Sequence, residues 1–368
     1  MTMRKVLLLG AGKIGSLITT MLADSGVYEV HVGSLETDEA KSLVKALGLA
    51  HVTVFPLDAQ DEQVLEKIMA GQNGSGKFDA VISGLPYYCN TLVADLAAKY
   101  AVNYFDLTED VGVTRHVQNV SKGAENVFMP QCGLAPGFIS IVANDLMKKF
   151  EVLDMVKMRV GALPVNPNNA LKYSLTWSTD GLINEYGNTC YGIDNGEFIA
   201  LQPLEGYETI TLDGVLYEAF NTSGGLGTLC ETYDGMIRTM NYKTMRYPGH
   251  CKEIKLLMNE LRLNEDRATL KRILERAIPK TLQDVVLIYV AVAGKSNGQF
   301  LEENYVKKVY PQEIAGKLWS SIQVTTAAGI CSAMDIVLEN SERFHGFVTQ
   351  ESVTLAEVTN NRFGKYYA

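Results

Sequence analysis

The sequence predicts an α/β protein: a Rossmann-type doubly wound parallel sheet, joined to a second, α+β domain for substrate binding and dimerisation. Three observations predict it. Residues 6–9 are an apolar run of strand length, followed at once by Gly10, Gly12 and Gly15 at G-x-G-x-x-G spacing and then by a helical pattern. Short apolar strands and amphipathic helices alternate through the first third of the chain, which implies right-handed crossovers and parallel pairing. After about Gly137 the alternation gives way to a mixture of strands, turns and helices, the pattern of an α+β unit.

In chain order, residues 6–9 form the first strand and 16–22 open the helix behind the glycines. Residues 28–32 form the second strand, and 37–48 a helix with Ala40, Leu43, Val44 and Leu47 on one face. A third strand at 51–55, a helix at 61–69 and a polar loop at 71–77 follow. Residues 78–83 are the fourth strand and 91–100 its helix, with two more short strands at 103–106 and 126–129. Further on, 154–163 is a strand and 164–169 a turn rich in Pro and Asn. Strand character returns at 209–212 and 285–293, and helical character at 251–261 and 267–277. An apolar helix at 320–340, rich in Ala and Thr, is placed to return to the first domain. The predicted parts are a dinucleotide-binding domain at 1–136, a substrate domain at 137–318 and a returning segment at 319–368.

The chain of 368 residues suffices for about two domains. A net charge of −9 argues against nucleic acid or an anionic membrane as partner. It leaves room for a local basic pocket that takes an acidic small molecule. No apolar run is expected to approach the roughly 18 residues of a membrane span, and no secretory leader is expected before the first strand. Six scattered cysteines without a C-x-x-C pair, and five histidines without a ligand-like cluster, point to a reduced cytoplasmic compartment and to no metal.

The glycine loop carries the first chemistry. Gly10 permits the tight turn, Gly12 lets backbone approach a pyrophosphate, and Gly15 lets helix pack on strand. With Lys13 and Ile14 they present a helix N-terminus, whose N–H groups and dipole favour phosphate. An acidic residue ordinarily ends the second strand to bind the ribose. Ser34 stands there instead, with Glu36 two residues on and Lys41 in the next helix. NAD and NADP therefore both stay open as cofactor. Asp58-Ala59 and Gly84-Leu85-Pro86 follow the third and fourth strands, at the carboxyl ends where open sheets bind ligands. Asp58 either accepts from an adenine amine or caps a helix, and Gly84 either admits the cofactor or makes a turn.

Later in the chain, Arg238, Lys243, Arg246 and His250 are cationic groups suited to carboxylates. The alternative is a solvated face paired with acids such as Glu253. Thr222, Ser223 and Gly224 form a loop that offers hydroxyls and N–H groups to a carboxylate, or a plain turn. Asp106, His250 and Tyr87 are the candidate general bases, with Asp106 alternatively a cap. His116 and His345 read as surface residues. Residues 177–186 read as a helix start that contacts substrate or another subunit.

These runs, together with Tyr104-Phe105-Asp106, Cys132-Gly133-Leu134-Ala135-Pro136-Gly137, Glu218–Gly225 and Tyr242–His250, occur in the order of the saccharopine dehydrogenase family, which the chain resembles over nearly its whole length. The resemblance implies NAD(P)-dependent oxidation of a C–N bond, followed by hydrolysis of the imine. Saccharopine would release glutamate and 2-aminoadipate 6-semialdehyde. In the lysine 6-dehydrogenase branch, lysine would release ammonia and the same semialdehyde. Cys132 is then expected to line the nicotinamide pocket rather than act as a nucleophile, and the substrate domain is expected to form a homodimer. The larger cationic set leans towards saccharopine, with its three carboxylates. A reading of another class is a nucleotide-binding sensor without catalysis.

Overall fold

The structure, a computed structural model, describes residues 3–72 and 74–367. The chain divides into two compact units. The first holds the chain up to Phe138, with Glu313–Trp319 and the stretch from Gln323 on. The second holds Ile139–Gln312 and Ser320–Ile322.

In the first unit, strands and helices alternate: β1 (Arg4–Leu9), α1 (Lys13–Asp24), β2 (Tyr28–Ser34), α2 (Asp38–Leu47), β3 (Val52–Pro56), α3 (Glu62–Met69), β4 (Ala80–Ser83), α4 (Asn90–Tyr100), β5 (Asn103–Asp106), α5 (Val111–Val120) and β6 (Val127–Met129). The predicted loop at 71–77 holds two turns, with Asn73 outside the described residues. All sheet pairs are parallel. The strand order is β17-β6-β5-β4-β1-β2-β3, where β17 is the short strand Gly346–Phe347 near the end of the chain. Val6, Leu7, Leu8 and Leu9 are all fully buried, because a parallel sheet buries both faces under helices. The order reverses direction between β1 and β4, so the carboxyl ends of these two strands open a crevice for a ligand. Below it the core is built from Leu7, Leu9, Phe78, Val81, Val93, Tyr104 and Phe128.

The second unit opens with α6 (Phe138–Met147), whose first residue still belongs to the first unit. Its elements are β7 (Val152–Pro164), α7 (Thr179–Gly187), β8 (Cys190–Asp194), β9 (Glu197–Leu201), β10 (Glu208–Leu212), β11 (Val215–Asn221), α8 (Leu229–Thr232), β12 (Ile237–Arg246), α9 (His250–Lys255), α10 (Arg267–Ala277), β13 (Asp284–Ser296) and β14 (Gln299–Val309). They form an eight-stranded sheet, β10-β11-β12-β7-β13-β14, with the β8–β9 ribbon paired to the start of β12. Only β12 and β7 pair in parallel. One sheet face carries Val156, Met158, Val160, Phe220, Tyr242 and Thr244, all buried. Tyr173, Leu182, Tyr186, Ile254, Leu270 and Leu274 from the loops and α7, α9 and α10 build a core with Phe220. The predicted helix at 251–261 is α9 continued by a π-helical turn over Leu256–Glu260. Strand β12 alternates buried and half-buried residues from Met240 to Thr244, whereas β11 runs from two exposed residues into a continuously buried stretch.

The chain ends with β15 (Gln312–Ile314), β16 (Lys317–Trp319), α11 (Ser321–Glu339), β17 (Gly346–Phe347) and α12 (Leu355–Asn360). From Gln323 on, α11 belongs to the first unit, where Gln323 Nε2 donates to the Lys13 carbonyl at 2.9 Å. By length and composition α11 could cross a membrane, which corrects the expectation that no run approaches that length. Its apolar window is 94% buried within the protein, so its composition serves a core.

Candidate functional site

The carboxyl ends of β1 to β5 gather the predicted nucleotide residues. Gly10 has φ of +95°, and a Cβ there would stand 3.0 Å from the Gly84 carbonyl oxygen. The β1 and β4 exits therefore touch through bare backbone. A Cβ on Gly15 would lie 2.0 Å from the Gly10 carbonyl oxygen, so the helix packs on the turn only as glycine. Gly12 differs: a Cβ there meets nothing within 4 Å. No side chain caps α1 at Gly12, so the first turn's N–H groups keep their capacity for a ligand anion. Ser34 Oγ stands 3.4 Å from the Ala11 nitrogen, tying the β2 exit to the loop. A pyrophosphate fits this open cradle. Lys13 is exposed and Ile14 half-buried beside it, and Leu85 and Pro86 continue the β4 exit.

Asp58 is exposed and accepts from the Gln60 nitrogen at 2.9 Å, a turn rather than a cap. The α3 cap is Asp61, which accepts from the Val64 nitrogen. Ala59 is buried next to it. Tyr87 is half-buried after Pro86, edge-on to Tyr88, and its hydroxyl makes no hydrogen bond among the described residues.

Asp106 is fully buried, and four donors saturate it. One oxygen accepts from Tyr104 Oη at 2.6 Å and Asn90 Nδ2 at 3.2 Å. The other accepts from the nitrogens of Thr108 at 3.0 Å and Gln131 at 2.9 Å. Ser83 Oγ donates to Asn90 Oδ1 at 2.6 Å, so the network stitches β4, α4 and β5 together. Burial raises the Asp106 carboxyl above its usual range. Its lone pairs are spent on structure, which corrects its reading as a general base. Cys132 is buried, its Sγ donating to the Met129 carbonyl at 3.0 Å and accepting from Gln350 Nε2 at 3.2 Å. Burial pushes the thiol well up, so no thiolate forms there.

In the second unit, the predicted cations separate. Arg238 is exposed and bidentate to Asp154, at 2.6 and 2.9 Å. It lies eight residues up β12 from Arg246, roughly 26 Å along a strand. Lys243 stands three residues from Arg246, hence on the opposite sheet face. There its Nζ donates to the Gly206 carbonyl and, at 2.8 Å, to Glu208, which also takes Arg159. Both readings as substrate ligands are corrected: strand geometry turns one away and carries the other to the far end.

Arg246 is 2% exposed and sits in an aromatic box. Its guanidinium carbon lies 5.0 Å from the Tyr173 ring centre and 5.7 Å from that of Tyr186. Nε donates to Tyr186 Oη at 2.8 Å and Nη1 to the Met245 carbonyl at 2.9 Å. A guanidinium has five N–H donors, so three are left without a hydrogen-bond acceptor among the described residues. Glu185 Oε2 is 3.7 Å from Nη2, an ion pair not closed by a hydrogen bond.

The same network fixes His250. Its Nδ1 donates to the Leu171 carbonyl at 2.7 Å, which leaves Nε2 to accept from Tyr186 Oη at 2.9 Å. Burial and the Arg246 charge push the imidazole down to about 3, so it is neutral. This corrects His250 as a cation and spends the lone pair it would use as a base. Glu218 holds the turn before it, accepting from the nitrogens of Gly249 at 2.7 Å and Cys251 at 2.5 Å. Ser223 joins α7 through its nitrogen to the Glu185 carbonyl and its Oγ to the Asn184 carbonyl. Gly224 has φ of +85° at the loop's bend. Gly225 packs against the Tyr242 ring, where a Cβ would lie 2.3 Å from ring carbons. Thr222 Oγ1, Thr176 Oγ1 and Asn184 Nδ2 are buried with no hydrogen-bond partner among the described residues.

Asn184, Glu185 and Tyr186 lie in the stretch 177–186 read from sequence as contacting substrate or another subunit, and Glu218 opens one of the family motifs, but no individual role was read for them; Tyr173 was not singled out at all. The signal available was in α7, where Asn184 and Glu185 sit in a helix whose residues from Gly181 to Tyr186 are all buried. Among the described residues, no three His, Cys, Asp or Glu side chains converge as metal ligands.

Fold and site define the class: a two-unit dinucleotide-binding protein of dehydrogenase type. Residues 6–127 match the saccharopine dehydrogenase NADP binding domain and residues 133–365 the saccharopine dehydrogenase C-terminal domain. The chain belongs to the saccharopine dehydrogenase family. It is 22% identical over 325 residues to the mitochondrial alpha-aminoadipic semialdehyde synthase of Bos taurus, covering 84% of this chain and 33% of that protein. It is 22% identical over 213 residues to the NADP(+), L-glutamate-forming saccharopine dehydrogenase of Schizosaccharomyces pombe, covering 56% of this chain and 46% of that protein. The chain thus spans about a third of the bovine relative and under half of the yeast one. The apo saccharopine dehydrogenase (L-Glu forming) of Saccharomyces cerevisiae shares the fold, with a TM-score of 0.75 at 18% identity, over 98% of this chain and 96% of that chain.

Proposed function

We propose that this protein oxidises the C–N bond of saccharopine with NAD(P), releasing L-glutamate and 2-aminoadipate 6-semialdehyde. Family membership supports the class of reaction. The observation that carries the substrate class is Arg246, a buried cation with three N–H donors unaccepted. An α-carboxylate satisfies two of them at once, in the fork geometry of arginine.

Gly10, Gly12, Lys13, Ile14 and Gly15 hold the pyrophosphate of the cofactor, and Ser34, Asp58 and Gly84 flank it. When bound, NAD(P) supplies the hydride acceptor. The substrate carbon loses hydride, its nitrogen loses a proton, and water then adds to the imine and splits it into aldehyde and amine. The rings of Tyr173 and Tyr186 pack against the Arg246 guanidinium and wall the carboxylate site. Neutral His250 orients the Tyr186 hydroxyl, whose oxygen accepts from Arg246. Of the three candidate proton-transfer groups, Asp106 and His250 are engaged within the protein, and the Tyr87 hydroxyl makes no hydrogen bond among the described residues.

A second reading has its own support. With Arg238 and Lys243 elsewhere and His250 neutral, Arg246 is the single charged cation of this pocket among those predicted. One cation suits one carboxylate, which favours lysine as substrate of a lysine 6-dehydrogenase. The test is reduction of NAD and NADP with saccharopine and with lysine, assaying glutamate and ammonia in parallel. Glutamate from saccharopine supports the first reading, and ammonia from lysine the second. Binding of cofactor without reduction by either substrate leaves the non-catalytic sensor.

A further inference from the structure

We propose that a second copy of this chain docks on the open edge of the second unit's sheet, β14 pairing antiparallel with the β14 of the copy about a two-fold axis at Tyr305. Three observations lead there.

The first is the edge itself. Strand β14 ends the sheet and, among the described residues, pairs only with β13. It runs for 11 residues without a register shift, and 299–304 and Val306 are exposed. An edge of that length offers a row of unspent N–H and C=O groups to a matching strand. The hairpin fixes which groups face out. Asn297 and Gly298, with φ of +51° and +75°, make a two-residue turn between the paired Ser296 and Gln299. Residues flanking such a turn bond to each other, and the bonding alternates from there. The odd-numbered residues from Gln299 to Val309 therefore bond to β13, and Phe300, Glu302, Asn304, Val306 and Lys308 turn their backbone groups outward.

The second is the charge order, Glu302-Glu303-Asn304-Tyr305-Val306-Lys307-Lys308. Antiparallel pairing about Tyr305 sets outward residues against outward residues. It places Glu302 opposite Lys308 and Glu303 opposite Lys307, each twice by symmetry. Alternation along the strand keeps the members of each pair on the same face of the joined sheet. Opposite charges facing each other across strands are favourable, and like charges are not. A centre at Asn304 puts Glu302 against Val306, and one at Val306 puts Asn304 against Lys308, so both lose the ion pairs. Centres at Glu303 or Lys307 set a charge against itself.

The third is the apolar matching at the ends of the same register. Leu301 falls opposite Val309, and Phe300 opposite Tyr310. Phe300 is 62% exposed and Tyr310 52%, and aromatic pairs across strands are stabilising. The charged residues have partners within the chain and room for more. Glu302 accepts from Asn304 Nδ2 at 3.2 Å, Glu303 lies 3.5 Å from Lys149, and Lys308 lies 2.8 Å from Asp213. A carboxylate has several lone-pair sites and an ammonium more than one donor. Lysines alone on an edge keep strands apart. Acids at one end and bases at the other instead select a copy turned end to end.

The test is sedimentation velocity of the full-length protein over a concentration series, with Glu303→Lys, Lys307→Glu and Val306→Pro. The wild-type protein is expected to sediment as a dimer at micromolar concentration. Each charge variant sets like charges opposite each other twice, so its dimer dissociation constant is expected to rise about 10-fold or more. Mixing Glu303→Lys with Lys307→Glu in equal amounts restores opposite charges at both places, and a heterodimer about as tight as the wild-type dimer is expected. Rescue on mixing separates charge pairing from damage to the fold. Val306→Pro removes an outward N–H, which an edge strand tolerates, and is expected to be a monomer with wild-type circular dichroism. A monomeric wild type, a dimer indifferent to Val306→Pro, or charge variants that stay apart when mixed would each overturn the proposal.

Discussion

The end of β5 and the end of β12 each bury one charged side chain, and the two are treated in opposite ways. Asp106 has four donors for its two oxygens and no lone pair to spare. Arg246 has two acceptors for five N–H groups. Both are almost inaccessible. The first has the balance of a structural tie and the second that of a site waiting for an anion. Buried charge alone does not mark function; the unspent hydrogen-bonding capacity around it does.

Arg246→Met breaks the comparison most directly. We expect kcat/KM with the preferred amino acid to fall about 100- to 1000-fold, from loss of a charge-assisted pair, while NADH binding holds. Unchanged turnover would sink the carboxylate role.

Asp106→Asn strikes the other side. Swapping one acceptor oxygen for an NH₂ group leaves buried donors unmatched, at about 2–4 kcal/mol. The melting temperature is expected to drop by roughly 5–10 °C, with KM nearly unchanged. A collapse of kcat at constant melting temperature would restore Asp106 as a proton-transfer group.

Two glycines sharpen the same distinction in the nucleotide loop. A methyl group at Gly12 meets no atom, whereas at Gly15 it would lie 2.0 Å from a carbonyl oxygen. Gly12→Ala should therefore keep the melting temperature and weaken NADH by about tenfold or more, seen by fluorescence titration. Gly15→Ala should lose stability first. Equal NADH affinity in a folded Gly12→Ala would remove the loop from the cofactor site.

His250 provides a pH test. Its folded pKa lies near 3, below the unfolded value of about 6.5. The unfolded chain then binds more protons between those values, so stability falls as pH drops from about 6.5 towards 3. The slope is at most about 1.4 kcal/mol per pH unit from this group. Denaturant melts of wild type and His250→Gln between pH 4 and 7 should differ in slope in that sense, and parallel curves would show a histidine that titrates freely.

The smallest effect belongs to Arg238→Ala. An exposed pair with Asp154 is worth less than about 1 kcal/mol, so kcat/KM should stay within about twofold. A tenfold loss would return Arg238 to the substrate site.

Legibility followed the range of the interactions. The glycine loop is one continuous stretch, so its turn, its helix and its ligand class were readable from spacing. The strands up to Asp106 were readable because each alternates with an amphipathic helix. The cationic motif around Tyr242–His250 was visible as a motif but not as a pocket. Its strand parity already separates Lys243 from Arg246, had the segment been recognised as β12. Asp106 was visible as a carboxylate at a strand end, and only the turn at Gln131 and the side chains of Asn90 and Tyr104 show that it is spent.

The sequence by itself determined the α/β class, the nucleotide loop and the family, because these rest on residues adjacent in the chain and on the period of strand and helix. The tertiary structure alone decided which polar groups are satisfied. Tyr186 and Arg246 meet across 60 residues of sequence, and Glu185 reaches the same guanidinium from α7. Pairings at that separation depend on how α7 packs against the end of β12, and whether a buried N–H finds an acceptor is a property of that packing rather than of either segment.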